Sequence, residues 1–427
     1  MGGIELDFSV GYHPPFQEVS RMIPTERHQP CFVPREEVVR RVENLQVALA
    51  KDGLAVAWID HLADRLYFSG SSQDGVLLVP AEGPATFYVR KSLERARVEA
   101  GVEVQAYPGA KSLGKKVRGA TGDAGNVGLA MDVTPASTFA RLQKGLALDR
   151  FVDITGTVRA IRSVKSAWEI DQLRRASDQV TTLYGEIAAR IRPGITELEL
   201  TGHVEGRLRA LGHGGTIRVR RPGSDITMGV VVSGASALYP TSFNGCVGAE
   251  GPYPTSASGA GWKQLAVGDT VMLDLVTVYN GYHADTTRTF FIGEHPPEAA
   301  LRAHAFCLET LRALEERMLP GRVCSEIYRE VLALTQERGE PQGFMGYGEN
   351  RVRFFGHGVG LELDEMPVLA DRIDVPLEAG MILAVEPKAF VEGIGPVGIE
   401  NTYVVTPDGP RPLSNANEDL VPIGSAG

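Results

Sequence analysis

The spacing of apolar residues changes along the chain, and the first 160 residues fall into two parts. Residues 1–30 are rich in Pro and Gly and show no period, which predicts an irregular N-terminal arm. A helix is predicted next, because apolar residues recur at helical spacing at Val38, Val42, Leu45 and Leu49. Short apolar runs then alternate with charged helical stretches, at 55–60, 75–80, 85–89 and 127–132. The alternation predicts a small α/β domain over residues 31–160.

Helix-start signals mark a second domain, predicted over residues 161–427. Ser166 and Glu169 have the spacing of a capping box, and Thr196 and Glu199 repeat it. Two amphipathic helices are predicted between positions 297 and 338. Strand-like runs flank them, at 230–234, 270–279, 287–293, 381–390 and 398–406. Because helices and strands are segregated along the chain, the fold class is predicted as α+β.

Composition and charge exclude several classes of function. The chain has 427 residues with 43 basic and 53 acidic side chains, a formal charge of -10, and no basic stripe with interleaved aromatics. Nucleic acid is therefore not expected as a partner. No apolar run has the length of a membrane span, and the N-terminus has acids where a signal peptide has bases. The cysteines lack CxxC spacing, at Cys31, Cys246, Cys307 and Cys324. Together these features predict a cytoplasmic location without membrane attachment.

Five residues with metal-ligand chemistry stand in apolar stretches: Asp274, Asp285, His357, Glu386 and Glu400. Any one of the acids could be satisfied by a helix cap or a surface position. Four buried carboxylates close together would repel each other strongly, whereas two divalent cations would remove that cost. Oxygen-rich ligation with one imidazole suits a pair of Mn, Co, Zn or Fe ions. A bridging water then becomes a nucleophile at neutral pH.

The phrases around these residues resemble metallopeptidase family M24, the pita-bread group that includes Xaa-Pro aminopeptidase, prolidase and creatinase. The matching phrases are GYHADTTR at 281–288, GHGVGLEL at 356–363, EP at 386–387 and IEN at 399–401. The preceding domain resembles the creatinase/prolidase N-terminal domain. The resemblance therefore implies a smaller α/β domain followed along the chain by a pita-bread catalytic domain. It also implies a homodimer.

The resemblance also implies a role for each residue. Asp274 is expected to chelate one metal ion, His357 and Glu386 are expected to bind the other, and Asp285 and Glu400 are expected to bridge the two. Glu386 is also expected to carry the proton to the leaving group. Thr287, two residues after Asp285, is expected to hydrogen-bond a bridging carboxylate.

Three positions depart from the family pattern, because residues of other kinds stand where the peptidases carry substrate-contacting histidines. Thr241 stands in place of the first histidine. Arg353, four residues before His357, stands in place of the second, and Asp364, seven residues after His357, stands in place of the third. Asp364 is expected in catalysis, since a carboxylate accepts a proton or binds a substrate ammonium. Arg353, Thr241 and the nearby Tyr239 are expected to bind substrate, the guanidinium being suited to a carboxylate.

Each of the two charged replacements has a simpler interpretation. Asp364 could be a helix-cap or surface acid, and Arg353 could be a solvated charge beside Arg351. The stretch at 242–262 is longer than the family's usual connection and is interpreted as a lid or a dimer contact. Its aromatic residues could line the pocket or serve packing, at Phe243, Tyr253 and Trp262.

Three functions are compatible with these features. The family-level prediction is a dinuclear aminopeptidase or dipeptidase of Xaa-Pro type that uses a metal-bridging water. The alternative is a hydrolase or lyase of a small amino-acid-like compound, as in the family's creatinase, ectoine and sulfoniopropionate branches, and the replaced histidines favour it. A binding protein on an inactive scaffold is the third, and retention of all five ligands argues against it.

Overall fold

The computed structural model describes residues 31–121, 126–147, 150–221, 226–348 and 351–424. The predicted arm over residues 1–30 lies outside these residues. The chain forms two compact units that divide between Thr155 and Gly156. None of the helices in the described ranges combines the length and apolarity that crossing a membrane requires.

The first unit is built around a six-stranded mixed sheet with the order β4-β3-β2-β1-β5-β6. Its strands are β1 (Val56–Ile59), β2 (Gly75–Pro80), β3 (Thr86–Val89), β4 (Glu103–Ala106), β5 (Val127–Leu129) and β6 (Phe151–Asp153). Its helices are α1 (Arg35–Lys51), α2 (Leu62–Ser69), α3 (Leu93–Glu99), α4 (Ala110–Thr121) and α5 (Ala136–Leu146). The helix predicted from apolar spacing is confirmed, because α1 buries Val38, Val42, Leu45 and Leu49.

Helices and sheets alternate less regularly in the second unit. Its helices are α6 (Thr155–Ser163), which begins at the last residue of the first unit, α7 (Ala167–Ile187), α8 (Glu197–Ala210), α9 (Glu298–Glu315) and α10 (Cys324–Glu337). Both predicted capping boxes are confirmed at the starts of α7 and α8. In the first box the Ser166 hydroxyl accepts from the Glu169 backbone N–H at 3.2 Å, while the Glu169 side chain accepts from the Ser166 N–H at 3.1 Å.

Three sheets carry the rest of this unit. The first has the order β17-β9-β8-β7, with β7 (Gly229–Ser233), β8 (Thr270–Tyr279), β9 (Tyr282–Ile292) and β17 (Val421–Ile423). The second has the order β11-β10-β12-β15-β16, with β10 (Phe354–Gly358), β11 (Glu365–Ala370), β12 (Ile382–Val385), β15 (Asn401–Thr406) and β16 (Gly409–Pro412). The third pairs β13 (Lys388–Val391) with β14 (Gly395–Gly398).

Apolar side chains fix these sheets against the helices. One cluster contains Leu311 of α9 and Leu383 of β12, and another contains Leu183 of α7 and Leu273 of β8. All four side chains are fully buried. Each buried leucine contributes about 1.5–3 kcal/mol from removal of apolar surface from water.

A buried charge network joins two basic residues near the start of the second unit to two acidic residues about 200 positions later. Glu365 accepts from Lys165 Nζ at 3.1 Å and from the Arg162 guanidinium, which also lies 2.8 Å from Glu362. Burial alone would raise the pKa of Glu365, but the positive charges of Arg162 and Lys165 outweigh it and lower that pKa to about 2. The ionised form of Glu365 is therefore strongly favoured in the folded chain.

Replacing Glu365 with Gln is expected to lower stability in a pH-dependent way. The Glu365 carboxyl has a pKa of about 2 when folded and an ordinary value of 4.5, so its ionised form stabilises the fold fully above pH 4.5. That contribution is lost as pH falls from 4.5 through 2. Glu365→Gln should cost roughly 3–5 kcal/mol near pH 7, since breaking a buried pair leaves uncompensated charge, and clearly less at pH 3.

Chemical unfolding followed by circular dichroism at pH 7 and pH 3 measures this difference. The matched control is Glu298→Gln, because Glu298 forms an exposed ion pair with Arg302 and should contribute little. An equal loss of stability for Glu365→Gln at both pH values would contradict the assignment.

Candidate metal centre

The antiparallel hairpin of β8 and β9 brings two of the predicted ligands together. Its turn is Asn280-Gly281, with φ of 49° and 85°, which is the conformation that a two-residue hairpin turn requires. This register places Asp274 on β8 directly opposite Thr287 on β9. Asp285 lies two residues before Thr287, so both project from the same face of the strand.

The five-stranded sheet supplies the other three predicted ligands. His357 on β10 pairs with Ala384 on β12, whose last residue, Val385, pairs with Asn401 on β15. Glu386 and Glu400 therefore occupy neighbouring positions just beyond the paired residues. An isolated bridge between Thr287 and Glu400 then joins this sheet to the β8–β9 hairpin. All five predicted ligands thus meet where the two sheets adjoin.

Three of the five are close enough to share one cation. Asp285, His357 and Glu400 each offer a ligand atom, and these atoms lie within 4.8 Å of one another. His357 Nδ1 lies 3.1 Å from the carbonyl oxygen of Gly358. A carbonyl oxygen only accepts, so Nδ1 carries the proton and Nε2 keeps its lone pair for a metal ion.

Lys388 was not singled out from the sequence, yet its ammonium lies at the centre of the carboxylates. Nζ donates to Asp274 Oδ2 at 2.7 Å, to Glu400 Oε2 at 2.8 Å and to Glu386 Oε2 at 2.9 Å. The side chain is 1% exposed. Lys388 opens β13, and its backbone approaches Gly398 so closely that a Cβ there would lie 2.6 Å from the Lys388 Cα. The strand pair can hold Lys388 here only because position 398 is glycine.

The charges shift one another's protonation in opposite directions. Burial would lower the pKa of Lys388, but the carboxylates of Asp274, Glu386 and Glu400 outweigh it and raise that pKa well above its usual value. Burial and then the neighbouring carboxylates raise the pKa values of Asp285 and Glu400 well above their usual range. Burial would also raise the pKa of Asp274, but Lys388 lowers it. One ammonium therefore does not compensate all the acids.

The uncompensated acids are also those with free ligand atoms. Asp285 Oδ1 and Glu400 Oε1 are buried and have no hydrogen-bond partner among the described residues. Buried carboxylate oxygens without partners are costly, and a cation would satisfy both. His357 Nε2 completes a donor set of two carboxylates and one imidazole. This set fits a divalent transition metal such as Mn, Co, Zn or Fe.

Thr287 and Glu386 border this donor set. The Thr287 hydroxyl lies 2.8 Å from Asp274 Oδ1 and 2.9 Å from Glu400 Oε2, so it holds the two carboxylates in place. Glu386 Oε1 lies 3.7 Å from His357 Nε2. Glu386 therefore turns one oxygen to Lys388 and the other to the imidazole.

The two charged replacements noted in the sequence lie outside the hydrogen-bonded cluster around Lys388. Asp364 is exposed, and its Oδ1 accepts from the backbone N–H of Arg220 at 3.4 Å. Arg353 is exposed as well, on the residue before β10, while the nearby Arg351 forms an ion pair with Glu340 at 2.6 Å. The structure gives neither Asp364 nor Arg353 a contact to the metal-ligand candidates, and their roles stay predictions.

A pocket of about 240 Å³ is lined by residues 237–238 and 240–248 together with Tyr347 and Arg351. Thr241 lines it, as do Phe243 and Cys246, and the thiol of Cys246 lies 3.7 Å from the Glu386 carbonyl oxygen. Tyr239 is exposed and is not among the lining residues. The 242–262 stretch thus contributes part of a pocket wall next to the candidate centre.

The remaining aromatic residues of this stretch pack on each other. Tyr253 and Trp262 meet edge to face with ring centroids 6.2 Å apart, and both are exposed. Trp262 Nε1 donates to the carbonyl oxygen of Pro252 at 3.0 Å. Of these three aromatic residues, Phe243 lines the 240 Å³ pocket, and its contact with substrate stays a prediction.

His283 lies close to the ligands in sequence and serves the fold. Its Nδ1 bonds the Gly360 carbonyl oxygen at 2.9 Å, and its Nε2 accepts from the Arg218 N–H at 3.0 Å. Burial lowers the pKa of His283 to about 4. The ring is therefore neutral near pH 7 and has both nitrogens engaged, as expected for a structural histidine.

Relatives of known structure share both units of the fold. Dipeptidase PepE from Mycobacterium ulcerans is 25% identical, with a TM-score of 0.75 over 92% of this chain and 100% of that one. The prolidase from Pyrococcus horikoshii OT3 has a TM-score of 0.74 at 24% identity, over 90% of this chain and 100% of that one. These likenesses confirm the predicted fold class, a pita-bread domain preceded by a creatinase-type domain.

Sequence comparisons agree with the fold. A Xaa-Pro dipeptidase from Pyrococcus horikoshii is 25% identical over 383 residues, which is 89% of this chain and 98% of the relative. The creatinase/prolidase N-terminal domain matches residues 41–164. The model of metallopeptidase family M24 matches residues 171–407, more than half of the chain. The chain therefore belongs to metallopeptidase family M24, and it is a metallohydrolase.

Proposed function

We propose that this metallohydrolase cleaves short peptides at a bond next to proline, as a dipeptidase or aminopeptidase of Xaa-Pro type. The observation that carries the proposal is the pair of unpartnered buried oxygens, Asp285 Oδ1 and Glu400 Oε1, beside the imidazole of His357. These atoms form a ready cation site within a family of metallopeptidases. The Xaa-Pro dipeptidase among the relatives, matched over almost its full length, supports the substrate class.

Asp285, His357 and Glu400 would hold a divalent cation in this proposal. Such an ion polarises a peptide carbonyl and lowers the pKa of water toward neutrality. The Gly358 carbonyl keeps His357 in the tautomer that presents Nε2. The hydroxyl of Thr287 fixes the orientation of Glu400. These contacts preorganise the ligand atoms before the cation arrives.

Glu386 is the proposed proton carrier. Its Oε2 accepts a hydrogen bond from Lys388 Nζ at 2.9 Å, which fixes the orientation of the carboxylate. Its Oε1 faces His357 at 3.7 Å and is directed toward the candidate cation site. Glu386 would accept a proton from the attacking water and return it to the leaving amine.

A second candidate is a small amino-acid-like substrate that is not a peptide. Asp364 favours it, because the carboxylate is exposed where the family's peptidases have an imidazole donor. An ionised carboxylate repels an oxyanion but attracts a substrate ammonium. The two candidate functions share the metal centre and differ in the chemical group of the substrate that Asp364 and Thr241 would contact.

Hydrolysis is expected to require a divalent cation and to prefer Xaa-Pro dipeptides. The purified protein should lose activity on chelation and regain it with Mn, Co, Zn or Fe(II), because the unpartnered carboxylates need a cation. The assay measures release of free proline, with Pro-Xaa dipeptides of the same composition as control. Metal binding without turnover of any peptide would overturn the peptidase proposal and favour the small-molecule candidate.

His357→Ala is expected to weaken metal binding strongly. The variant removes the imidazole from the donor set, so the loss of affinity should exceed the roughly 10- to 100-fold typical of an altered outer-shell partner. Titration calorimetry with Mn²⁺ measures it. The exposed His203, changed to Ala, is the matched control. Unchanged affinity in His357→Ala would show that the site lies elsewhere.

Asp364→Asn is expected to leave metal content intact and to lower kcat/KM by about 10²-fold or more, because it removes a proton acceptor or ammonium partner without touching the metal ligands. Steady-state kinetics and metal analysis on the same preparation measure both quantities. The exposed Asp371→Asn provides the control. A rate close to that of the unaltered protein would assign Asp364 to the surface alone.

A further inference from the structure

Lys388 occupies a position that a pair of metal ions would need. We propose that its ammonium permanently replaces one of the two divalent cations, so that each chain binds a single metal ion at Asp285, His357 and Glu400. This inference rests on the metal-dependent function proposed above and specifies its stoichiometry. It changes the expected role of Asp274, which would anchor Lys388 and not a metal ion.

The hydrogen bonding of the ammonium is complete. A lysine ammonium has three N–H donors and no acceptor. Nζ meets three carboxylate oxygens at 2.7–2.9 Å, one each from Asp274, Glu386 and Glu400. The number of donors equals the number of acceptors, and all three contacts are charge-assisted. Lys388 therefore satisfies these oxygens as a cation would.

The oxygens that Lys388 leaves free point to one further site. Asp274 has its other oxygen 2.8 Å from the Thr287 hydroxyl, so both of its oxygens are engaged. Glu400 has one oxygen on Lys388, whereas its other oxygen and one oxygen of Asp285 have no hydrogen-bond partner in the part of the chain that the structure describes. The two residues with unpartnered oxygens, Asp285 and Glu400, form a single cluster with His357, in which one ligand atom from each residue lies within 4.8 Å of the others.

The backbone holds the lysine in place. Lys388 pairs with Gly398 in the β13–β14 ladder, and its carbonyl oxygen accepts from the Met345 N–H at 2.8 Å. The side chain is 1% exposed, so the ammonium is shielded from solvent where it lies. A metal ion that displaced the ammonium would leave it buried without its three acceptors, which is costly.

Repulsion between the cations also favours one ion. The four carboxylates are offset in part by the ammonium, and one divalent cation leaves a single negative charge. A second divalent cation on Asp274 would lie beside the ammonium at carboxylate-bridging distance. Like charges that close in a buried site repel strongly. The cluster therefore accommodates an ammonium and one metal ion better than an ammonium and two.

The test is metal stoichiometry after loading with excess Mn²⁺ and removal of unbound metal. We expect one Mn per chain in the unaltered protein, with the electron paramagnetic resonance spectrum of an isolated Mn²⁺ ion. Lys388→Ala frees three carboxylate oxygens and should bind two Mn per chain with the spectrum of a spin-coupled pair. The control variant Lys165→Ala, which removes another buried, ion-paired lysine, should still bind one Mn per chain.

Each outcome decides between the proposals. Two Mn per chain in the unaltered protein would overturn the replacement by Lys388 while leaving the metal-dependent function intact. No Mn in the unaltered protein would overturn the metal site itself and this inference with it. Lys388→Ala could fail to fold without metal, in which case a thermal-shift assay provides the test. A larger rise in melting temperature on addition of Mn²⁺ for Lys388→Ala than for the unaltered protein supports the replacement of a metal ion by Lys388. An equal or smaller rise contradicts it.

Discussion

Four carboxylates converge where the two sheets of the second unit adjoin, and their mutual repulsion is the constraint on which the site depends. Two of them, Asp285 and Glu400, lie deep enough that burial and their neighbours raise their pKa values well above the usual range. Such a cluster is stable only when positive charge enters it. The chain supplies one charge of its own through Lys388 and leaves the oxygens of Asp285 and Glu400 for another.

The fold brings these charges together through strand register. The two-residue turn at Asn280-Gly281 fixes the β8–β9 ladder, and the ladder sets Asp274 opposite Thr287. The bridge from Thr287 to Glu400 then ties the hairpin to the second sheet. A slip of one residue in either ladder would turn the ligand side chains to the opposite face. The rigid ladders thus explain how residues far apart in sequence form one cluster.

Much of this arrangement was predictable from the sequence. The capping boxes at Ser166 and Thr196 rest on local hydrogen bonds, and local rules recognise them. Acids within apolar strands signal a shared cation, because an isolated buried carboxylate is too costly. The family phrases then identified the pita-bread fold, which relatives at about a quarter identity share.

Other features depend on tertiary placement that local rules do not reach. Lys388 lies two residues after Glu386, and alternation along an extended strand was the available signal that both share a face. The sequence does not show that its Nζ reaches Asp274, 114 positions earlier. Asp364 was predicted from a family pattern, and its exposed position depends on contacts with the chain near Arg220. Neither location follows from spacing alone.

The most direct test of the central claim, that an ammonium and a single divalent ion together neutralise the four acids, is anomalous diffraction from crystals soaked in Mn²⁺. We predict one anomalous peak bounded by Asp285, His357 and Glu400, with the Lys388 side chain ordered against Asp274. Two peaks about 3.5–4 Å apart, the usual spacing of a two-metal site, would contradict the claim, as would a soaked crystal with no peak at these residues.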